Sequence, residues 1–203
     1  MRKPKLRELW EAIKVLFVEG PYTAKFPKEL TIPPDSFRGK PQFNADVCIG
    51  CGACSEVCPS RSIEVIDDVE QGTRTLKLRY DICNFCGQCH LYCTTENGID
   101  FTNEYDLAAL SRSEMEVTVE KELAVCEICG DVVGTKDHLK WIADRLGSLA
   151  YANPTLILAG MDHLSQSEYI AARAKERNVS REDIFRVLCP RCRSSVYLAE
   201  EFG

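Results

Sequence analysis

No apolar run in the 203 residues approaches the length of a membrane span, so any membrane contact is expected to be peripheral. No secretory signal is read at the start; with twelve cysteines this points to a reducing cytoplasm and to metal ligation rather than disulfides. There is no glycine-rich nucleotide loop and no nucleophile beside a companion base, so no catalytic residue is assigned. Positive charge is in deficit: a net charge of −6 argues against nucleic acid as a general partner. Apolar content of 45% and charged content of 28% are those of an ordinary globular protein. The length allows one large domain or two small ones.

What the chain does have is cysteine in a repeat. Cys48-Ile49-Gly50-Cys51-Gly52-Ala53-Cys54 leads to Cys58-Pro59, and Cys83-Asn84-Phe85-Cys86-Gly87-Gln88-Cys89 leads to Cys93. Both halves follow C-x2-C-x2-C-x3-C, the spacing that binds two 4Fe–4S clusters. Three cysteines on one tight loop reach three irons of a cubane, and the fourth ligand is exchanged with the other loop. Cys48, Cys51, Cys54 and Cys93 are therefore expected on the first cluster, and Cys83, Cys86, Cys89 and Cys58 on the second. Gly50, Gly52 and Gly87 allow close backbone approach around a cluster. Zinc would use four ligands and leave the third and fourth cysteines of each half unexplained. Cys86-Gly87-Gln88-Cys89-His90 also matches a c-type haem attachment, but the repeat already claims both cysteines.

Residues 1–20 are predicted to form an amphipathic helix, with Leu6, Leu9, Trp10, Ile13, Leu16 and Phe17 on one stripe and Arg2, Lys3, Lys5 and Arg7 at its start. Such a helix can lie in a membrane interface or pack on protein. Gly20 and Pro21 end it. Residues 21–46 hold five of the nine prolines (Pro21, Pro27, Pro33, Pro34 and Pro41) and are expected to run as an extended arm with no central strand. Arg38-Gly39-Lys40 places positive charge beside the first cysteine loop.

Residues 47–104 read as the two-cluster unit. Ser62–Ile66 and Thr75–Arg79 alternate as strands joined by a hairpin at Asp67–Gly72, and Ile99–Phe101 is a closing strand. Val47, Ile49, Val57, Ile63, Ile82, Phe85 and Ile99 are expected to shield the clusters.

Residues 105–203 carry Cys126-Glu127-Ile128-Cys129-Gly130 and Cys189-Pro190-Arg191-Cys192. Two C-x2-C knuckles can supply one four-thiolate site for zinc or a single iron. Closing the interval of about 59 residues costs roughly 3.6 kcal/mol in its length-dependent term, against roughly 10–16 kcal/mol from structural zinc. Within the interval, Thr135 caps a helix bearing Leu139, Ile142, Ala143 and Leu146 and stopped at Gly147. Thr155–Ala159 reads as a buried strand. Ser165 and Glu168 open a helix ending near Asn178, and Ser180 caps another to about Leu188. His138 and His163 are read as surface histidines, because four thiolates fill the site. The fold class expected is α+β: a bacterial-type two-cluster ferredoxin fold with an N-terminal helix and arm. A C-terminal α/β region over 105–203, closed by a zinc-ribbon or rubredoxin-like site, completes it.

With Phe26-Pro27 and Pro34-Asp35-Ser36-Phe37-Arg38-Gly39-Lys40 ahead of the cysteine block, residues 1–104 resemble the two-cluster subunit of respiratory complex I. They resemble equally its counterpart in membrane-bound NiFe hydrogenases. Thr94 departs from that pattern, which usually has proline after the cysteine corresponding to Cys93. The resemblance implies a helix lying along the membrane, an arm crossing the complex, and electrons relayed through two 4Fe–4S clusters. The paired-cysteine extension resembles the electron-transfer subunit of formate hydrogenlyase. That implies NiFe large and small subunits, a further electron-input iron–sulfur subunit and integral membrane subunits as partners, on the cytoplasmic side. The alternatives are a complex I-like quinone- or carrier-linked dehydrogenase subunit, and a free ferredoxin with a zinc ribbon.

Overall fold

The computed structural model describes residues 5–19, 28–29, 31–34, 36–161 and 181–202. It divides into two units, 1–37 and 38–203. In the first, α1 (Leu6–Lys14) continues as a π-helical turn over Val15–Glu19. The Glu8 carboxylate accepts the Lys5 N–H at 3.1 Å, satisfying one donor of the first turn. No residue of α1 is buried, and Leu6, Trp10, Phe17 and the rest of the apolar stripe are exposed. The expected stop at Gly20 and Pro21 lies outside the described residues, as do Phe26, Pro27 and Asp35 of the arm.

The second unit is built on a four-stranded antiparallel sheet in the order β2–β3–β5–β6. The strands are β2 (Ile63–Asp68), β3 (Thr73–Arg79), β5 (Glu116–Val125) and β6 (Val132–Thr135). A separate ribbon pairs β1 (Pro41–Phe43) with β4 (Ile99–Phe101). The β2–β3 hairpin follows the sequence reading, with Gly72 at φ +67° in its turn. Alternation puts Leu76 and Leu78 on one face of β3, and both are almost wholly buried. They sit opposite Val65 and Ile63 on one side and Val119 and Val117 on the other. Phe43, Ile63, Tyr80, Ile99 and Val119 complete this core, and the Tyr80 hydroxyl donates to the Pro41 carbonyl at 2.7 Å. The ribbon is extended by Gly39, whose N–H bonds Thr102 and which has no room for a Cβ against the Thr102 and Glu104 carbonyls.

Four expectations change. β5 was not anticipated; Glu116, Glu120, Lys121 and Glu122 obscure its alternation, yet it pairs with β3 over seven residues. Hydrogen bonding therefore runs unbroken across the division expected at 104/105. Thr155–Ala159 is not a strand but belongs to α5 (Pro154–Gly160). Its start is set by Asn153, whose side chain accepts the Thr155 N–H at 3.0 Å, with Pro154 in the first turn. The helix expected to reach Leu188 is a 3-10 turn over Arg181–Phe185. It stops because the Val187 and Leu188 N–H groups go to Glu127 and Thr155 instead. α6 (Pro190–Phe202) then begins inside the second knuckle, a helix that the knuckle's own residues did not suggest. Ser180 itself, and the Ser165–Asn178 helix with His163, lie outside the described residues.

α4 (Lys136–Leu146) is where it was expected, with the Thr135 hydroxyl accepting the His138 N–H at 3.3 Å and a stop at Gly147. Leu139 and Ala143 are buried, and Leu139 packs with Ala124, Ala159 and Val187 into the core. His138 is half-buried beside Trp141, and burial and Arg74 hold its pKa below the ordinary value.

Leu78→Ala is expected to destabilise the fold by about 2–5 kcal/mol, because β3 is flanked by strands and the site cannot collapse. Val65→Ala, on a partly exposed position, is expected to cost under about 1.5 kcal/mol. Thermal denaturation of the two variants side by side checks the order.

Candidate metal centres

The sequence repeat is a repeat of backbone shape. Gly50 and Phe85 take left-handed φ values of 66° and 52°. Gly52 (φ 80°, ψ 0°) and Gly87 (φ 84°, ψ 1°) cap two one-turn helices, α2 (Ala53–Glu56) and α3 (Gln88–Leu91). Arg61 and Glu96, each three residues past the last cysteine of its half, are left-handed again. Each half thus folds its first three thiols onto one loop and sends the fourth away.

Two thiol-lined cavities of matching build result. The first is lined by Cys48, Cys51, Cys54 and Cys93, the second by Cys58, Cys83, Cys86 and Cys89. β3 backs both: Leu76 faces the first and Leu78 the second, two residues and hence roughly 6.6 Å apart along the strand. Phe43, Ile49 and Ile99 join the first wall, and Pro41, Ile63, Phe85 and Phe101 the second. Of the shielding residues expected, Ile49, Ile63, Phe85 and Ile99 line a cavity. Val47 and Val57 are half-buried off the cavities, and Ile82 is exposed in the turn after β3.

Polar groups converge on the sulfurs. The Thr94 hydroxyl lies 3.2 Å from Cys51 Sγ and the Thr95 hydroxyl 3.5 Å from Cys93 Sγ. Cys58 Sγ has the Ser62 hydroxyl at 3.2 Å, the Ser62 N–H at 3.3 Å and the Ser60 hydroxyl at 3.6 Å. Burial pushes the Cys48 and Cys83 thiols up, Cys54 to about 12 and Cys89 to about 11. Burial acts on Cys58 too, but the Ser62 and Ser60 hydroxyls and N–H groups outweigh it and bring that thiol down to about 7. Ser60, Ser62 and Thr95 were not singled out in the sequence; a hydroxyl two or four residues from a cysteine was the available signal. Arg38 lies beside the second loop rather than the first: its Nη1 donates to the Cys86 carbonyl at 3.2 Å, and its guanidinium sits 5.7 Å from the Phe101 ring centroid. The ribbon of β1 and β4 carries it there.

The remaining four cysteines also meet. The Sγ atoms of Cys126, Cys129, Cys189 and Cys192 all lie within 4.8 Å of one another, with Cys129 and Cys189 at 3.6 Å. Zn–S bonds of about 2.3 Å in a tetrahedron need sulfurs about 3.8 Å apart, so the set fits one metal ion. Cys126 sits in the turn from β5 to β6, where its N–H donates to the Asp131 carbonyl and its carbonyl accepts the Gly130 N–H, both at 2.8 Å. Cys189 sits at the start of α6, its sulfur accepting the Cys192 N–H at 3.4 Å. One knuckle is thus a hairpin turn and the other a helix start, the arrangement that distinguishes this site from two matching ribbon knuckles. Burial pushes Cys129 up and Cys192 to about 11. For Cys126 burial is outweighed by the N–H groups of Cys129, Cys189 and Ile128, which lower it. Among the described residues no histidine joins this group.

The 4Fe-4S dicluster domain family matches residues 47–97, the stretch that contains all eight repeat cysteines. NADH-quinone oxidoreductase subunit I 2 of Geobacter metallireducens is 30% identical over 131 residues, covering 61% of this chain and 98% of that protein. Formate hydrogenlyase subunit 6 of Escherichia coli is 33% identical over 118 residues, 58% of this chain and 64% of that protein. NAD(P)H-quinone oxidoreductase subunit I of Gloeobacter violaceus is 35% identical over 101 residues; the chain spans about half of that relative, 47% of its length. Two four-thiol cavities inside the matched domain, and a match over nearly the whole Geobacter metallireducens protein, place the chain in the NADH-quinone oxidoreductase subunit I family of complex I-like iron–sulfur subunits.

Proposed function

We propose that the chain is an electron-transfer subunit that relays electrons through two 4Fe–4S clusters to the NiFe module of a membrane-bound, formate hydrogenlyase-like complex. Cys48, Cys51, Cys54 and Cys93 would hold the first cluster and Cys83, Cys86, Cys89 and Cys58 the second. The observation that carries the relay is the gathering of these thiols around two adjacent cavities on one strand. When bound, the clusters supply one-electron oxidation and reduction. The chain's own residues do the rest. Leu76, Leu78 and Ile99 keep water off the inner walls, and the Thr94, Thr95, Ser60 and Ser62 hydroxyls donate toward sulfur. Cys86, the exposed cysteine of the eight, marks the edge of the second cavity nearest a partner.

The hydrogenase branch is supported by the match to formate hydrogenlyase subunit 6 together with a four-cysteine region beyond the dicluster domain. A structural zinc or single iron at Cys126, Cys129, Cys189 and Cys192 would tie β5 and β6 to α6. A complex I-like dehydrogenase is the second reading, favoured by coverage of 98% of the Geobacter metallireducens subunit. Residues 1–37, a unit of their own with an exposed apolar stripe, would serve as the anchor on the cytoplasmic side, against lipid or a membrane subunit. No helix among the described residues is long and apolar enough to cross a membrane.

Anaerobic purification of the complex from solubilised membranes is expected to yield a nickel-containing subunit, and this chain, separated anaerobically from the others, to carry about eight iron and eight sulfide and one further metal ion. Membrane subunits without nickel would transfer the chain to the complex I-like branch. Removing residues 1–37 should release the protein from its complex with the iron content unchanged; a truncated chain that stays bound refutes the anchor. Thr94→Val removes a donor that stabilises the more negative, reduced cluster. The midpoint potential of one cluster is expected to fall in an EPR-monitored titration, while the other stays in place.

A further inference from the structure

The two cysteine loops share a backbone and differ in their neighbours. At the third position of each loop, Gly50 and Phe85 take the same left-handed backbone conformation. The peptide that ends in the Gly50 N–H begins with the Ile49 carbonyl, and that carbonyl accepts a 2.5 Å bond from the Thr135 hydroxyl. In a trans peptide the C=O and N–H lie in one plane and point in opposite directions, so a donor fixed on the carbonyl fixes the direction of the N–H. The next carbonyl, of Gly50, is held by Arg74 Nη1 at 3.2 Å. Thr135 is fully buried at the junction of β6 and α4. Beside it, Lys121 Nζ donates to the Ala45 carbonyl at 2.8 Å and pairs with Asp137 at 2.9 Å.

Gly50 records this contact. A Cβ there would lie 2.9 Å from Thr135 Cγ2 and 3.1 Å from the Lys121 side chain. Phe85 carries a full side chain in the same left-handed conformation. Glycine at position 50 therefore answers the docking of the region after β5, and not the backbone conformation alone.

We propose that Thr135 is a positioning residue for the first 4Fe–4S cluster, holding in place the Ile49–Gly50 peptide that links the Cys48 and Cys51 ligands. This rests on the reading that Cys48, Cys51, Cys54 and Cys93 bind that cluster. The test is an EPR-monitored redox titration of the full chain in its complex, with the first cluster's signal assigned by its loss in a Cys51→Ala chain. Thr135→Val is expected to shift the first cluster's midpoint potential negative and leave the second unmoved, and Thr135→Ser, which keeps the hydroxyl, to restore it. Since Thr135 also caps α4, Gly50→Ala gives an independent arm: it displaces Thr135 from the loop without removing the cap, and is expected to shift the same cluster in the same direction. Unmoved potentials in Thr135→Val and Gly50→Ala, or equal shifts of both clusters, overturn the proposal. A wild-type chain, separated anaerobically from its complex, that lacks two clusters by iron and sulfide count overturns the cluster reading and the inference together. A full count with unmoved potentials overturns the inference alone.

Discussion

Each thiol-lined cavity takes three cysteines from one loop and the fourth from the other, so neither half of the repeat can close its own site. Cys58 leaves the first loop to reach the second cavity, and Cys93 makes the return journey. The two halves must therefore fold against a common wall. β3 is that wall, because its alternation presents Leu76 to one cavity and Leu78 to the other at a separation that one strand sets by its rise alone. Loss of either leucine would open a void behind the thiols.

β3 has a second neighbour in β5, and this pairing joins the region beyond residue 105 to the dicluster domain. β5 carries Lys121 to the Ala45 carbonyl and ends at Cys126; β6 leads from Cys129 back to Thr135 and the first loop. The ladder between β5 and β6 has three pairs with a register shift at Ala124/Val125. So short a ladder is a weak hold on β6, and a metal ion on the four thiols at its start would reinforce it. The C-terminal region thereby meets the first loop at Gly50, while Arg38, brought in by the β1–β4 ribbon, meets the second at Cys86. Two loops of one shape are left in different electrostatic surroundings.

The parts of the fold legible in the sequence were those signalled by neighbours in the chain. The β2–β3 hairpin shows plain alternation around a glycine turn, and Thr135 and Gly147 bracket α4 as a cap and a stop. The rest failed for identifiable reasons. β5 is charged along its exposed positions, and only pairing on both sides accounts for a strand there. The stretch Thr155–Ala159, apolar but for its threonine, satisfies either a buried strand or a helix, and the Asn153 cap decides between them. The chain leaves the helix at Val187 and Leu188 because their N–H groups bond to Glu127 and Thr155, residues 60 and 33 positions away.

By itself, the sequence determined the thiol chemistry: twelve cysteines in two four-cysteine halves and two knuckles. Those groupings are legible because metal ligation by a short loop demands fixed local spacing. It also determined the left-handed glycines of the loops and an amphipathic N-terminus. Only the tertiary structure decided which polar groups stand at the sulfurs. Thr94 on Cys51, Ser62 on Cys58, Arg38 on the Cys86 carbonyl and Thr135 on the Ile49 carbonyl include pairs separated by 43 to 86 residues. A hydrogen bond requires approach to about 3 Å with correct direction. Over such separations, that approach is set by strand register and packing rather than by residue spacing.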